Sequence, residues 1–206
     1  ILMLFLYFIV GLFTVINQQF QVPLKSALLP HDGNMTNALV TLLNFSWFLA
    51  YPFSEGFATR WVDRLGYRKT SVYSLLIFIA GLGFYEAAVL LHIYAPSYIT
   101  IMGNPIFTGF FIFLSGSFVI GMAVTILQVV TGLYLDVNPV GKTTPLQRQM
   151  IGGTTNSIGM AIGPLVVSYI IFYGIPLHNV QSREFIWPVI CLIAIICIFT
   201  LITARI

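Results

Sequence analysis

Four carboxamides, Asn17, Gln18, Gln19 and Gln21, fall within five residues at the end of an apolar run, "VINQQFQVPLK" at 15–25. An amide both donates and accepts hydrogen bonds, carries no charge and cannot release a proton. Left unpartnered in hydrocarbon it costs about 2–7 kcal/mol, so these groups must meet one another, another helix, water or a ligand. Three more amides, Asn44, Gln128 and Asn156, interrupt other apolar runs. Several amides on facing helices match a site that grips a polar, uncharged solute such as a polyol, so all seven are expected to contact substrate. Any single Ser, Thr or Gly in these runs reads instead as plain helix packing. Glu86, in "GLGFYEAAVLLH", has two readings: a coupling site for a proton or cation, or a structural acid near the outer interface bonded to His92 or a loop.

Those residues must be positioned by membrane helices. The 206 residues are 58% hydrophobic and only 7% charged, with a mean hydropathy of +0.95, whereas a soluble domain carries about a quarter charged residues. Six apolar helices are expected at about 1–22, 35–58, 70–92, 107–134, 148–173 and 185–205, each bounded by a polar or Pro/Gly-bearing break. The net charge of +3 is too small and scattered for nucleic acid. Its distribution orients the chain: Arg60, Arg64, Arg68, Lys69, Lys142, Arg148 and Arg205 fall on one side, Lys25 and Arg183 on the other. The first side is expected to be cytoplasmic, with both ends of the segment inside. Cys191 and Cys197 lie in the last apolar run and read as neither a disulfide nor a metal site. No phosphate-binding loop and no hydrolytic constellation appears, so neither an enzyme nor a cofactor is expected.

The helices differ in what they can face. The sixth, "FIWPVICLIAIICIFTLITA", is apolar all round and reads as an outer, lipid-contacting helix. The fourth carries Ser117, Gly121, Thr125, Gln128 and Gly132 on one face, and the fifth carries Gly152, Asn156, Gly159 and Gly163. The second has Asn37, Thr41, Asn44, Tyr51 and Glu55 on a stripe. Together they describe a bundle with a hydrated or closely packed centre.

Between the second and third helices stands "TRWVDRLGYRKT", 59–70. A turn at Gly66 would hold Arg64, Arg68 and Lys69 at the membrane surface beside Asp63. The order Asp63, Arg64, Gly66, Arg68, Lys69 resembles the cytoplasmic loop motif of the major facilitator superfamily, with Thr59 where that motif usually begins with Gly. Residues 128–159, "QVVTGLYLDVNPVGKTTPLQRQMIGGTTNSIG", are similar to a stretch of the fucose/galactose/glucose:proton symporter family, in which Arg148, Asn156, Ser157 and Gly159 fit. Residues 17–24, "NQQFQVPL", are similar to the end of that family's first helix, with Pro23 matching.

The resemblance implies an all-α membrane protein, the six-helix N-terminal half of a twelve-helix major facilitator fold whose C-terminal half is not in this chain. It also implies secondary transport of a hexose or deoxyhexose by alternating access in a plasma or bacterial inner membrane. The family's two membrane carboxylates fall on Gln19 and Gln128, and its fifth-helix Gln falls on Gly153, which puts coupling to a proton or sodium ion in question. The alternatives are a transporter or passive facilitator for another metabolite or drug, and a transport-inactive receptor or scaffold.

Overall fold

The computed structural model describes residues 2–29, 33–101, 103–139 and 141–205. Helix α1, Leu2–Gln19, is the first apolar run. It bends at Phe20 and resumes as the short α2, Gln21–Leu28. Pro23 has no N–H to offer the carbonyl of Gln19 four residues back, which accounts for a break at this point rather than the expected end near 22. Phe20 holds the bend by packing against Phe172 and Phe185, with ring centroids 6.0 and 5.7 Å away.

Helix α3, Asn34–Tyr94, runs for 61 residues. Straight, it would measure roughly 90 Å, three times the hydrocarbon thickness of a bilayer. It is interrupted at Gly66, whose φ of 77° and ψ of 167° lie where a side chain is strained, so the expected polar loop at 63–69 is reduced to one non-helical residue between two arms. Both arms pack on α4, Gly109–Val137. A Cβ added to Gly121 would press on the backbone of Trp47 in the first arm, and one added to Gly116 on the carbonyl of Gly81 in the second.

Between α3 and α4 the chain forms an antiparallel hairpin, β1 (Tyr98–Ile101) and β2 (Asn104–Phe107), with Ile99 opposite Ile106. A wholly helical expectation had no place for it. Helix α5, Pro145–Val166, starts with a reciprocal cap in which Thr144 and Gln147 bond each other's backbone N–H, and with Pro145 in its first turn. Past Pro164 it widens into a π-helical turn, Val167–Ile171. Two 3₁₀ turns, Leu177–Asn179 and Ser182–Phe185, lead into α6, Ile186–Arg205.

Five of these helices are long and apolar enough to cross a membrane, with α3 counted once, and the chain is an all-α membrane protein apart from the hairpin. Their coverage is uneven. Within its most apolar 18 residues α4 is 61% buried and α6 28%, whereas α5 is only 17% buried although it is the least apolar of the five.

Candidate functional site

The amides of 17–21 do not form one cluster. Asn17 points into the bundle and is 3% exposed. Its Oδ1 accepts from Tyr85 Oη at 2.9 Å and from Ser117 Oγ at 3.2 Å, while Ser117 also reaches the carbonyl of Leu43. Asn17 thus joins α1 to the second arm of α3 and to α4, and Ser117 extends the network to the first arm. Among the described residues Asn17 Nδ2 has no hydrogen-bond partner. Beside it is a void of about 10 Å³, walled by Phe13, Trp47, Leu82 and Ile120, with room for about one water and not for a solute. Gln18 and Gln19 are half-buried. Gln21, beyond the bend, faces a different space.

That space is a cleft of about 780 Å³ at the end of the bundle where α2 begins. Gln21, Lys25 and Ser26 come from α2, Asn37 and Thr41 from the first arm of α3, and His178 from the Leu177–Asn179 turn. Ser26 Oγ donates to the carbonyl of His178 at 2.7 Å, which pins the turn onto α2. Thr41 Oγ1 donates to the carbonyl of Asn37 at 2.9 Å, leaving its oxygen lone pairs toward the cleft. Amides, a hydroxyl, an imidazole and an ammonium over the apolar floor of Val22, Leu29 and Val40 form a wall that can bond a hydroxylated solute from several sides. The volume falls within the range of small-molecule sites, about 300–1,000 Å³.

Helix α5 carries a second feature. One of its faces is pressed onto α1: a Cβ on Gly159 would overlap the carbonyl oxygen of Phe8, and one on Gly163 would meet Val15. Asn156, on this side and half-buried, donates from Nδ2 to the carbonyl of Tyr7 at 3.1 Å. Gly153, Thr154, Ser157 and Ala161 are exposed on the other face. The hydroxyls of Thr154 and Ser157 donate to carbonyls one turn back, at 2.9 and 3.0 Å, and keep accepting capacity outward. Leu146, Met150, Ile151, Ile158 and Leu165 are exposed on α5 as well, so its open side mixes small polar residues with large apolar ones, whereas that of α6 presents Trp187, Ile190, Ile195, Ile198 and Leu201.

The remaining expected residues are dispersed. Gln128 is half-buried, and among the described residues no hydrogen bond joins it to Asn156 or to the amides of 17–21. Asn44 Oδ1 is buried without a hydrogen-bond partner among the described residues, and so is one carboxylate oxygen of Glu86 on the second arm of α3. His92 bonds Ser182 Oγ rather than Glu86, at 2.7 Å.

At the opposite end, Asp63, Arg64, Gly66, Arg68 and Lys69 are exposed around the break in α3, and Arg68 donates to the carbonyl of Ala204 at the end of α6. Arg148 is buried there and forks over the end of α4. Its Nε, Nη2 and Nη1 donate to the carbonyls of Leu135, Asp136 and Thr143 at 2.5, 2.8 and 2.7 Å. Gln21, expected from the sequence to contact substrate, lines the cleft with Asn37 and Thr41 of the polar stripe, while Ser26, Lys25 and His178 were not connected to it by sequence reasoning. The one available signal was that Lys25 and His178 sit in breaks on the same side. Compared with known proteins, the chain matches no protein-family model, no curated protein and no solved structure.

Proposed function

We propose that the chain is the N-terminal half of a membrane transporter that moves a small polar solute, a hexose or deoxyhexose, by alternating access. In this reading the two arms of α3 are separate spans, which makes six, and the end bearing Arg60, Arg64, Arg68, Lys69 and Arg148 is cytoplasmic. The cleft around Gln21 is then the outer mouth of the pathway.

The observation that carries the reading is the exposed face of α5. A helix that must cross lipid and yet is both the least apolar and the least covered by its own bundle needs water or protein on its open side. Between the exposed Met150 and Leu165, Gly153, Thr154 and Ser157 form a short polar strip with outward acceptors, where a solute path between two halves could pass. The resemblance to sugar:proton symporters supports the solute class, together with a cleft rich in groups that donate and accept without net negative charge.

Coupling follows from the amides. Gln19 and Gln128 stand where that resemblance expects carboxylates and cannot take up protons. The expected behaviour is equilibration, with Glu86 as the candidate coupling acid. The test is uptake of radiolabelled fucose, galactose and glucose by the full-length protein in proteoliposomes, with and without an imposed pH gradient. Equilibration without accumulation supports the reading, gradient-driven accumulation moves the coupling site to Glu86 or to the other half, and failure to take up any of the three removes sugar from it.

A further inference from the structure

We infer that the crevice between the second arm of α3 and the end of α6 binds the phosphate of an anionic phospholipid in the leaflet at the basic end. The crevice encloses about 400 Å³ and is lined by Arg68, Lys69, Val72, Tyr73 and Ala204. Two cations thus stand over an aliphatic and an aromatic wall, at the level where a span leaves the membrane. Arg68 is held in place by its bond to the Ala204 carbonyl, and its guanidinium keeps further N–H donors for a phosphate oxygen. Lys69 is exposed beside it. Tyr73 packs edge-on against Trp61 at 6.2 Å, an amphipathic aromatic pair of the kind that sits at headgroup depth.

The surroundings select a lipid over a free ion. From the crevice an exposed apolar stripe runs along α3 at steps of three and four residues through Leu76, Ala80 and Gly83. A Cβ at Gly83 would meet nothing within 4 Å among the described residues, so the stripe is open on the outside of the bundle. On α6 the residues leading away from Ala204, namely Leu201 and Ile198, are also exposed and apolar. A headgroup phosphate on Arg68 and Lys69 would let acyl chains lie along these surfaces, while a soluble anion would leave them uncovered. Arg60, Arg64 and Arg205 add positive charge at the same end, and Asp63 is the one acid in the loop. Basic pockets between spans on the cytoplasmic side hold anionic headgroups by this combination of point contacts and surface potential.

The inference needs only that the chain spans a membrane and stands whether or not it transports sugar. The test is native mass spectrometry of the full-length protein in detergent with dimyristoyl phosphatidylglycerol or dimyristoyl phosphatidylcholine, with inorganic phosphate as a competitor. The expected result is retention of phosphatidylglycerol about fivefold over phosphatidylcholine. Lys69→Gln, which breaks no bond within the protein, should remove most of that preference, whereas Lys142→Gln in the 138–144 loop at the same end should leave it unchanged. Equal retention of the two lipids overturns the inference. So does an equal loss in Lys69→Gln and Lys142→Gln, which would mean diffuse charge. Displacement of the lipid by millimolar inorganic phosphate would assign the crevice to a free anion and overturn it too.

Discussion

Tyr85 Oη donates to Asn17 Oδ1 at 2.9 Å across the centre of the bundle, in a region where neither side chain meets solvent. Because Ser117 shares the same oxygen, the bond fixes the relative register of three helices rather than offering a surface to a solute. Tyr85→Phe should therefore cost about 0.5–1.5 kcal/mol, read as a lowered unfolding midpoint in detergent, and leave the affinity for solute unchanged. A changed affinity at unchanged stability would put Asn17 in the pathway instead.

The contact of α1 with α5 depends on close backbone approach. A Cβ on Gly11 would overlap the carbonyl oxygen of Asn156, whose side chain already ties to Tyr7. Gly11→Val should cost several kcal/mol, about 3 or more, or prevent folding. Gly153→Ala, on the open face where nothing lies within 4 Å of the added carbon among the described residues, should stabilise by about 0.5–1 kcal/mol, the gain of removing a helix-interior glycine. The difference between their thermal midpoints is the measurement.

Arg148 closes the end of α4 with three carbonyls on one guanidinium. Arg148→Lys keeps the charge and loses the planar fork, so it should recover only part of the stability lost in Arg148→Met. Hydrogen exchange in residues 133–147 should rise in both, most in Arg148→Met.

In the cleft, Gln21→Leu and Thr41→Val remove groups that face the open volume without disturbing a buried bond between elements. Each should raise the half-saturation concentration for solute uptake by about tenfold, the loss of one or two hydrogen bonds, with the unfolding midpoint unchanged. Ser26→Ala is the contrasting case, since its hydroxyl holds the His178 turn and its loss should alter the cleft through position.

The apolar runs and the break at Gly66 were legible in the sequence because hydropathy and a positive φ are local properties. Other features were set by contacts made far along the chain. The pairing of Asn17 with Tyr85 joins residues 68 apart and depends on how two helices cross. His178 enters the cleft through a bond to Ser26, 152 positions away. The hairpin at 98–107 is signalled locally by the β-branched residues of "YITI" and by Gly103, whose φ is 79°. Its Pro and Asn content made it read as a loop. The bend after Gln19 was also encoded, by Pro23 four residues on, but the amides around it drew the reading toward a helix end.

The central claim is that the open face of α5 borders water inside the membrane. The direct measurement is labelling of a single cysteine at Ser157, by a membrane-impermeant thiol reagent, in full-length protein whose Cys191 and Cys197 have been replaced by alanine. Leu201→Cys on the exposed face of α6 serves as the lipid-facing reference. The account predicts that Ser157→Cys is labelled at least tenfold faster than Leu201→Cys, and that excess solute slows it. Equal, slow labelling at both positions would show α5 facing lipid and would contradict the account.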